Sequence, residues 1–235
     1  MEKTGKVVSF FSPKGGTGKS TLTAVTATAL NYILNDKKVC IVDADFAQNT
    51  IMIHREKEEE RLKNDEQFKF QCEGIKRFPV FVCEKNSLVT TIDACKKKFD
   101  LILVDFPGTL VDDEILKAVL LVDYMILPVG IDEYEVNSVL NFIDNMLPLL
   151  KDINKDIKVK ALMNMYSDSF ENKNKVNPYD NLKRELNEHG MDVFENKVYK
   201  RVEISRNRST IIPLAYKPGK DSIYNFFKEF NSFIK

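Results

Sequence analysis

Cysteine is scarce in this 235-residue chain, with four copies, and histidine is scarcer, with two. Cys40, Cys72, Cys83 and Cys95 contain no C-x-x-C pair, so neither a zinc site nor a disulfide framework is indicated, and a reducing cytoplasm fits. Cys40 falls inside an apolar strand pattern and reads as a small core residue. His54 and His189 stand far apart in sequence, which argues against a metal centre or a catalytic triad. No apolar run approaches the roughly 18 residues of a membrane span. The opening MEKTGKVVSFFS has no long apolar core and leads straight into a glycine-rich loop, so no cleaved leader is expected. Net charge is also missing, because 35 Lys and Arg balance 35 Asp and Glu. Such a chain is not drawn as a whole to polyanions, and any nucleic-acid contact has to be a local patch.

What is present is an alternation of apolar strand-like runs and helical patterns. VVSFF (7–11), KVCIVDAD (38–45), FPVFV (78–82), FDLILVDFPG (99–108), YMILPV (124–129) and IKVKALMN (157–164) read as strands. Helices are expected at about 20–35, 87–99, 112–121 and 133–150, with another closing the chain. Strands that are almost continuously apolar, separated by helices, signal a parallel sheet covered on both faces. The length suits one domain, 1–235. The charge-dense run IHREKEEERLKNDEQFKF (53–70) reads as a solvated helix or as a partner surface. SFENKNKVNPYD (169–180) reads as an exposed loop.

The segment SPKGGTGKST (12–21) resembles a phosphate-binding loop, G-x-x-x-x-G-K-[ST], in its required setting of strand, glycine loop and helix. The nucleotide-binding set is Pro13, Lys14, Gly15, Gly16, Thr17, Gly18, Lys19, Ser20 and Thr21. Gly15, Gly16 and Gly18 permit the backbone turns that aim amide N–H groups at phosphate oxygens. Lys19 is placed to reach the β and γ phosphates, and the Ser20 hydroxyl to ligate Mg²⁺ at a helix N-terminus. Pro13 stands where the motif has its first glycine. It has no N–H to donate, so the loop forms only if that position contributes none. LILVDFPG supplies Asp105 to hold Mg²⁺ through water and Gly108 to offer its N–H to the γ-phosphate. The loop from Asp105 to Asp112 then becomes a nucleotide-sensing switch. Asp43 and Asp45 end a strand at the carboxyl edge, where ligands bind in such sheets, or else cap the next segment. A guanine reader of the N-K-x-D kind is absent, since Met165 and Ser167 follow Asn164; ATP is favoured over GTP.

With two lysines in K-G-G-T-G-K-S-T, the loop resembles the deviant Walker motif of the ParA/MinD ATPases, and the likeness extends over about residues 5 to 235. It implies a P-loop NTPase fold, an ATP-sandwiched homodimer, and ATP and Mg²⁺ as cofactors. In that dimer Lys14, the family's signature lysine, crosses to the partner's triphosphate. The resemblance further implies that Asp45 activates the attacking water and that Asp43 supports Mg²⁺ as an outer partner. Asn164 would read adenine and Pro213 would flank it. The family's D-x-D-P-Q segment is altered here: no proline follows Asp45, and Gln48 aligns with the family glutamine only if one residue is inserted. The family's outputs imply two functions. One is ParA-like partition of a plasmid, chromosome region or mobile element on non-specific DNA, with a ParB-like adaptor and nucleoid association. The alternative is MinD-like positioning of a protein partner on a membrane.

Two stretches bear on that choice. KVYKRVEISRNR (197–208) carries Lys197, Lys200, Arg201, Arg206 and Arg208, a basic cluster that reads as a DNA-phosphate patch or as a solvated helix face. DSIYNFFKEFNSFIK (221–235) has Ile223, Phe226, Phe227, Phe230, Phe233 and Ile234 at helical spacing, which reads as core packing or as a membrane-contacting helix. An iron–sulfur ATPase would need cluster-ligating cysteines after the switches, whereas Cys72, Cys83 and Cys95 all precede Asp105. A tyrosine kinase on this scaffold would need a tyrosine-rich tail, which is absent.

Overall fold

The computed structural model describes residues 4–34, 37–109, 112–167, 177–206, 209–215, 217–219 and 222–235. Six strands form one parallel sheet: β1 (Lys6–Phe10), β2 (Val39–Asp43), β3 (Val80–Val82), β4 (Leu101–Asp105), β5 (Tyr124–Val129) and β6 (Lys158–Met163). Their order across the sheet is β3-β2-β4-β1-β5-β6, and every pairing is parallel. β1 therefore sits centrally between β4 and β5, and the loop that follows it emerges at the middle of the carboxyl edge, where such sheets bind ligands. This is a single-domain P-loop NTPase fold.

Alternation along the strands assigns the two cores. Val7 and Phe11 face one side and Val8 and Phe10 the other; Ile102 and Val104 likewise oppose Leu101 and Leu103. The first face is covered by α4 (Leu88–Lys96), α5 (Asp113–Val119), α6 (Glu133–Asn141), α7 (Leu147–Ile153) and α8 (Pro178–Glu188). A π-helical turn, Phe142–Met146, joins α6 to α7. The second face is covered by α1 (Lys19–Ile33), α2 (Thr50–Asn64), α9 (Val202–Arg206) and α10 (Ile223–Phe233). α1 is built largely from Ala and Thr and is buried from Leu22 to Asn31, which lets the sheet and its neighbouring helices close on it.

α10 is a core element. Phe226, Phe227 and Phe230 are fully buried, and Phe230 stacks on Phe10 of β1 at 6.0 Å between ring centroids. Each such ring contributes about 1.5–3 kcal/mol by burial, which settles the closing helix as packing against the sheet. No helix among the described residues is long and apolar enough to cross a membrane. Cys40 is buried in β2, as its strand context implies.

Two local expectations need correction. The run 53–70 is two helices, α2 and α3 (Glu66–Gln71). They part at Asp65, whose carboxylate accepts from the Phe68 N–H at 2.9 Å and caps α3. It is not simply solvated, since Arg55 and Glu58 are buried. The stretch 169–180 is not all loop: α8 starts at Pro178 with Asn177 as its cap, the proline-at-N1 signature, while 168–176 lie outside the described residues. The segment after α8 runs beside β6, bridging Ala161 at Val193, and beyond the strand's end Tyr199 bridges Tyr166, both parallel.

Candidate nucleotide site

The loop after β1 turns on two glycines. Gly16 (φ 81°) and Gly18 (φ 88°) occupy the left-handed region that side chains disfavour, whereas Gly15 does not use it. A Cβ on Gly18 would lie 2.9 Å from Asn164 Nδ2. That amide donates to the Thr17 carbonyl at 2.7 Å, so the end of β6 is pinned to the loop. Asn164 thus stands beside the glycine turn. The next residue, Met165, takes φ 54°, a strained value for a side chain of its size, and is partly exposed there. α1 starts from Gly18, with Leu22 N–H donating to its carbonyl at 2.8 Å. Gly15 and Gly16 are exposed and Thr17 is buried; Pro13, Ser20 and Thr21 are half-buried around them.

The two lysines differ in setting. Lys19 Nζ donates to the Lys14 carbonyl at 3.1 Å. Burial pushes its ammonium down, opposed by the charges of Asp105, Asp45 and Glu135. Gly108 closes on the same group: a Cβ there would lie 3.4 Å from Lys19 Nζ and 3.5 Å from the carbonyls of Pro13 and Ser12. Gly108 is therefore seated against the phosphate loop. Lys14 points the other way. Its Nζ pairs with Asp132 Oδ1 at 2.6 Å and lies 5.7 Å from the exposed Tyr134 ring.

Asp105 is the most constrained acid. It has no exposed surface, and its carboxylate oxygens lack a well-formed hydrogen bond, with the Ser20 hydroxyl nearby as a loose donor. Burial, reinforced by Asp43 and Asp45, pushes its carboxyl up to about 7, against the lowering influence of the Ser20 hydroxyl and Lys19. A buried, orphaned carboxylate beside a serine hydroxyl is what a cation held by Ser20 and Asp105 would satisfy. Among the described residues no cluster of three His, Cys, Asp or Glu forms a metal cage. The donor set fits Mg²⁺, which keeps its waters and completes its shell from phosphate oxygens.

The other predicted carboxylates divide. Asp43 is buried and works as a cap: its Oδ2 accepts from Ile51 N–H and Met52 N–H, both at 3.0 Å, at the start of α2. Burial raises its pKa. Of the two readings open in the sequence, its hydrogen bonds match the capping one. Asp45 is half-buried, with its charge felt by both Lys19 and Asp105. Its carbonyl accepts from Gln48 N–H and Asn49 N–H, and Gln48 itself is exposed. Asn49, which caps α2, is left-handed at φ 42°.

Glu135 and Asp132 are site residues that sequence reasoning missed. Glu135 Oε1 accepts from Gly130 N–H at 2.8 Å, and burial raises its carboxyl beside Lys14 and Lys19. The acid-rich IDEYE after an apolar strand was the available signal. Pro213 lines a groove between α2, α3 and α9 whose lining includes no residue of the phosphate loop.

Within the described part of the basic stretch 197–208 the cations have different settings. Lys197 packs 3.3 Å from the centroid of the Tyr166 ring, and Arg201 lies over Tyr199 at 5.3 Å. Lys200 and Arg201 are exposed on the groove rim. Arg206 ends α9, its side chain outside the described set, and Arg208 lies outside the described residues.

Comparison with known proteins places this geometry. The family profile described as the CobQ/CobB/MinD/ParA nucleotide binding domain (CbiA) matches residues 8–214. No curated protein matches the sequence. Among solved structures, a Borrelia burgdorferi B31 protein described as a plasmid partition protein and bound to AMPPNP is 20% identical. It covers 98% of each chain with a TM-score of 0.65. MinD of Aquifex aeolicus is 18% identical over 97% of each chain, TM-score 0.67. MinD of Pyrococcus horikoshii OT3, complexed with Mg-ADP, is 20% identical, covering 97% of this chain and 95% of that one, TM-score 0.62.

Proposed function

This chain belongs to the CobQ/CobB/MinD/ParA family of nucleotide-binding domains, and from that premise we propose that it is a Mg²⁺-dependent ATPase of the ParA type. In this reading it dimerises on ATP, binds DNA without sequence preference and partitions a plasmid, chromosome region or mobile element together with a ParB-like adaptor. The observation that carries the reading is the convergence of Lys19, Gly108, Asp45 and the orphaned Asp105 at one loop that also carries Lys14.

Mg²⁺ held by Ser20 and Asp105 would neutralise phosphate charge as the terminal phosphoryl group transfers. Around it the chain's own groups divide the work. The loop amides and Lys19 bind the β and γ phosphates, and the Gly108 N–H senses the γ position. Asp45 orients a water for in-line attack and takes its proton. The water oxygen bonds the γ-phosphorus as the bond to the bridging oxygen breaks, releasing ADP and phosphate. Lys14 from a second copy adds the cation that completes charge neutralisation, so hydrolysis is tied to pairing.

Non-specific DNA binding is assigned to the exposed Lys200 and Arg201, doubled by dimerisation. The test is retention on duplex DNA with ATP across a salt series. The parent should bind with a steep salt dependence, and Lys200→Glu/Arg201→Glu should lose most of that affinity. Unchanged salt-dependent retention in the double variant removes this surface from the account. The MinD-like reading is disfavoured by α10, whose apolar face is buried on the sheet. Sedimentation with anionic liposomes and ATP should leave the protein in solution.

A further inference from the structure

Away from the phosphate loop, α2, α3, α9 and the 209–215 segment enclose a groove of about 1230 Å³. The charge-dense run 53–70 supplies one wall. The groove has an apolar lining, from Phe68, Ile204, Ile212, Leu214 and Ile223, and a cationic rim, from Lys57, Arg61, Lys200, Arg201 and Lys217, of which Arg61 also pairs with Asp65 at 2.9 Å. Its acids are already engaged: Glu58 accepts from Ser209 and Thr210, and Glu203 pairs with Lys217 at 2.9 Å.

We propose that this groove docks an acidic amphipathic α-helix of a protein partner. Charge complementarity decides the occupant. A helix with apolar residues at i, i+3, i+4 and i+7 fills a lined groove, and carboxylates along its flanks meet Lys57 and Lys200 and compete for Arg61 and Lys217, whose present ion pairs are solvent-exposed and weak. Size agrees. A groove of this size admits one face of a helix about 10 Å across over a few turns. A small ligand fits less well, because pockets for such molecules run to about 300–1,000 Å³. Duplex DNA fits less well too, because its phosphates want cations on an open face and gain nothing from aliphatic walls recessed between helices.

The floor is rigid enough to present such a groove. Arg55 donates to Thr210 Oγ1, the Thr210 carbonyl and the Phe78 carbonyl, each at 2.7 Å, and lies over the Phe78 ring at 5.0 Å. With Glu58 it ties α2 to the 209–210 turn across the sequence. The inference does not depend on the nucleotide reading, because the groove shares no residue with the phosphate loop.

The experiment is fluorescence anisotropy of the full chain, without nucleotide, with a labelled peptide of about four turns. The peptide has leucines at i, i+3, i+4, i+7 and i+11 and glutamates at the positions flanking that stripe. Saturable binding is expected, weakened about tenfold or more when lysines replace the glutamates, and similarly in Lys57→Glu, an exposed rim position outside the proposed DNA surface. Hydrogen-exchange protection should appear in α2, α3 and 209–215. Should Lys57→Glu fold poorly by circular dichroism, a salt titration of the parent replaces it, and affinity must fall as salt rises. No saturation, equal binding of the acidic and basic peptides, or an unaltered Lys57→Glu affinity overturns the proposal. So does duplex DNA that displaces the peptide and weakens equally on Lys57→Glu, which would make the groove a nucleic-acid face.

Discussion

Lys14 and Lys19 leave one loop for different surroundings, and the difference bears on what each can do. Lys19 is drawn inward among acids; Lys14 stands at the surface, its side chain 38% exposed, against an Asp132 that is 56% exposed. A pair so open is worth about 0–1 kcal/mol, so a triphosphate on a second copy can take Lys14 from Asp132 at little cost. On the proposed mechanism, Lys14→Ala and Asp45→Ala both lose hydrolysis, but only Asp45→Ala still dimerises with ATP. Parent-rate turnover in Asp45→Ala would remove its water-activating role. Asp105 gives a pH prediction. Its folded-state value, about 7, lies above an unfolded value near 3.9, so folding favours its neutral form. Without Mg²⁺ its contribution falls as pH rises from about 4 to 7, by a few kcal/mol at most. Asp105→Asn should therefore be increasingly stable relative to the parent across that window in EDTA, while losing Mg–nucleotide stabilisation. A thermal-unfolding gap that stays constant with pH contradicts this.

At the scale of elements, α2 is held at its start and its middle: Asp43 caps its start, and Arg55 and Glu58 anchor its middle to Thr210. Removing one member of a buried ion network strands the other. Glu58→Gln or Arg55→Met alone should cost about 3–5 kcal/mol in urea unfolding, and an apolar double replacement less than the sum. Strict additivity would mean the two do not share one network. α10 is judged by volume instead of charge. Phe230→Ala opens a cavity under β1 and should cost about 3–5 kcal/mol with no effect specific to nucleotide. The elements that the sequence revealed were those with local signatures. The glycine loop, the apolar strands and the aromatic spacing of α10 are each written within about fifteen residues. The burial of Arg55 and Glu58 was not legible, because it depends on a turn 155 and 152 residues further along. Glu135 and Asp132 were missed for the same reason. They reach the loop only because β5 lies beside β1, a neighbourhood that periodicity does not encode. The proline cap of α8 was legible and was outweighed by the polar loop composition before it.

For the molecule as a whole, the central placement of β1 brings the ends of four strands to one crevice. β1 carries the phosphate loop, β4 carries Asp105, β2 leads to Asp45, and β6 ends at Asn164. The arrangement holds a nucleotide from one side and leaves Lys14 directed outward at the rim. The account stands on what that outward lysine is for. Light scattering coupled to size-exclusion chromatography, with ATP, ADP or neither, is the most direct measurement. The Asp45→Ala protein with ATP and Mg²⁺ should elute at twice the 27.1 kDa of the single chain, and Lys14→Ala/Asp45→Ala should not. A parent protein that hydrolyses ATP while remaining at the single-chain mass under every nucleotide condition would contradict it.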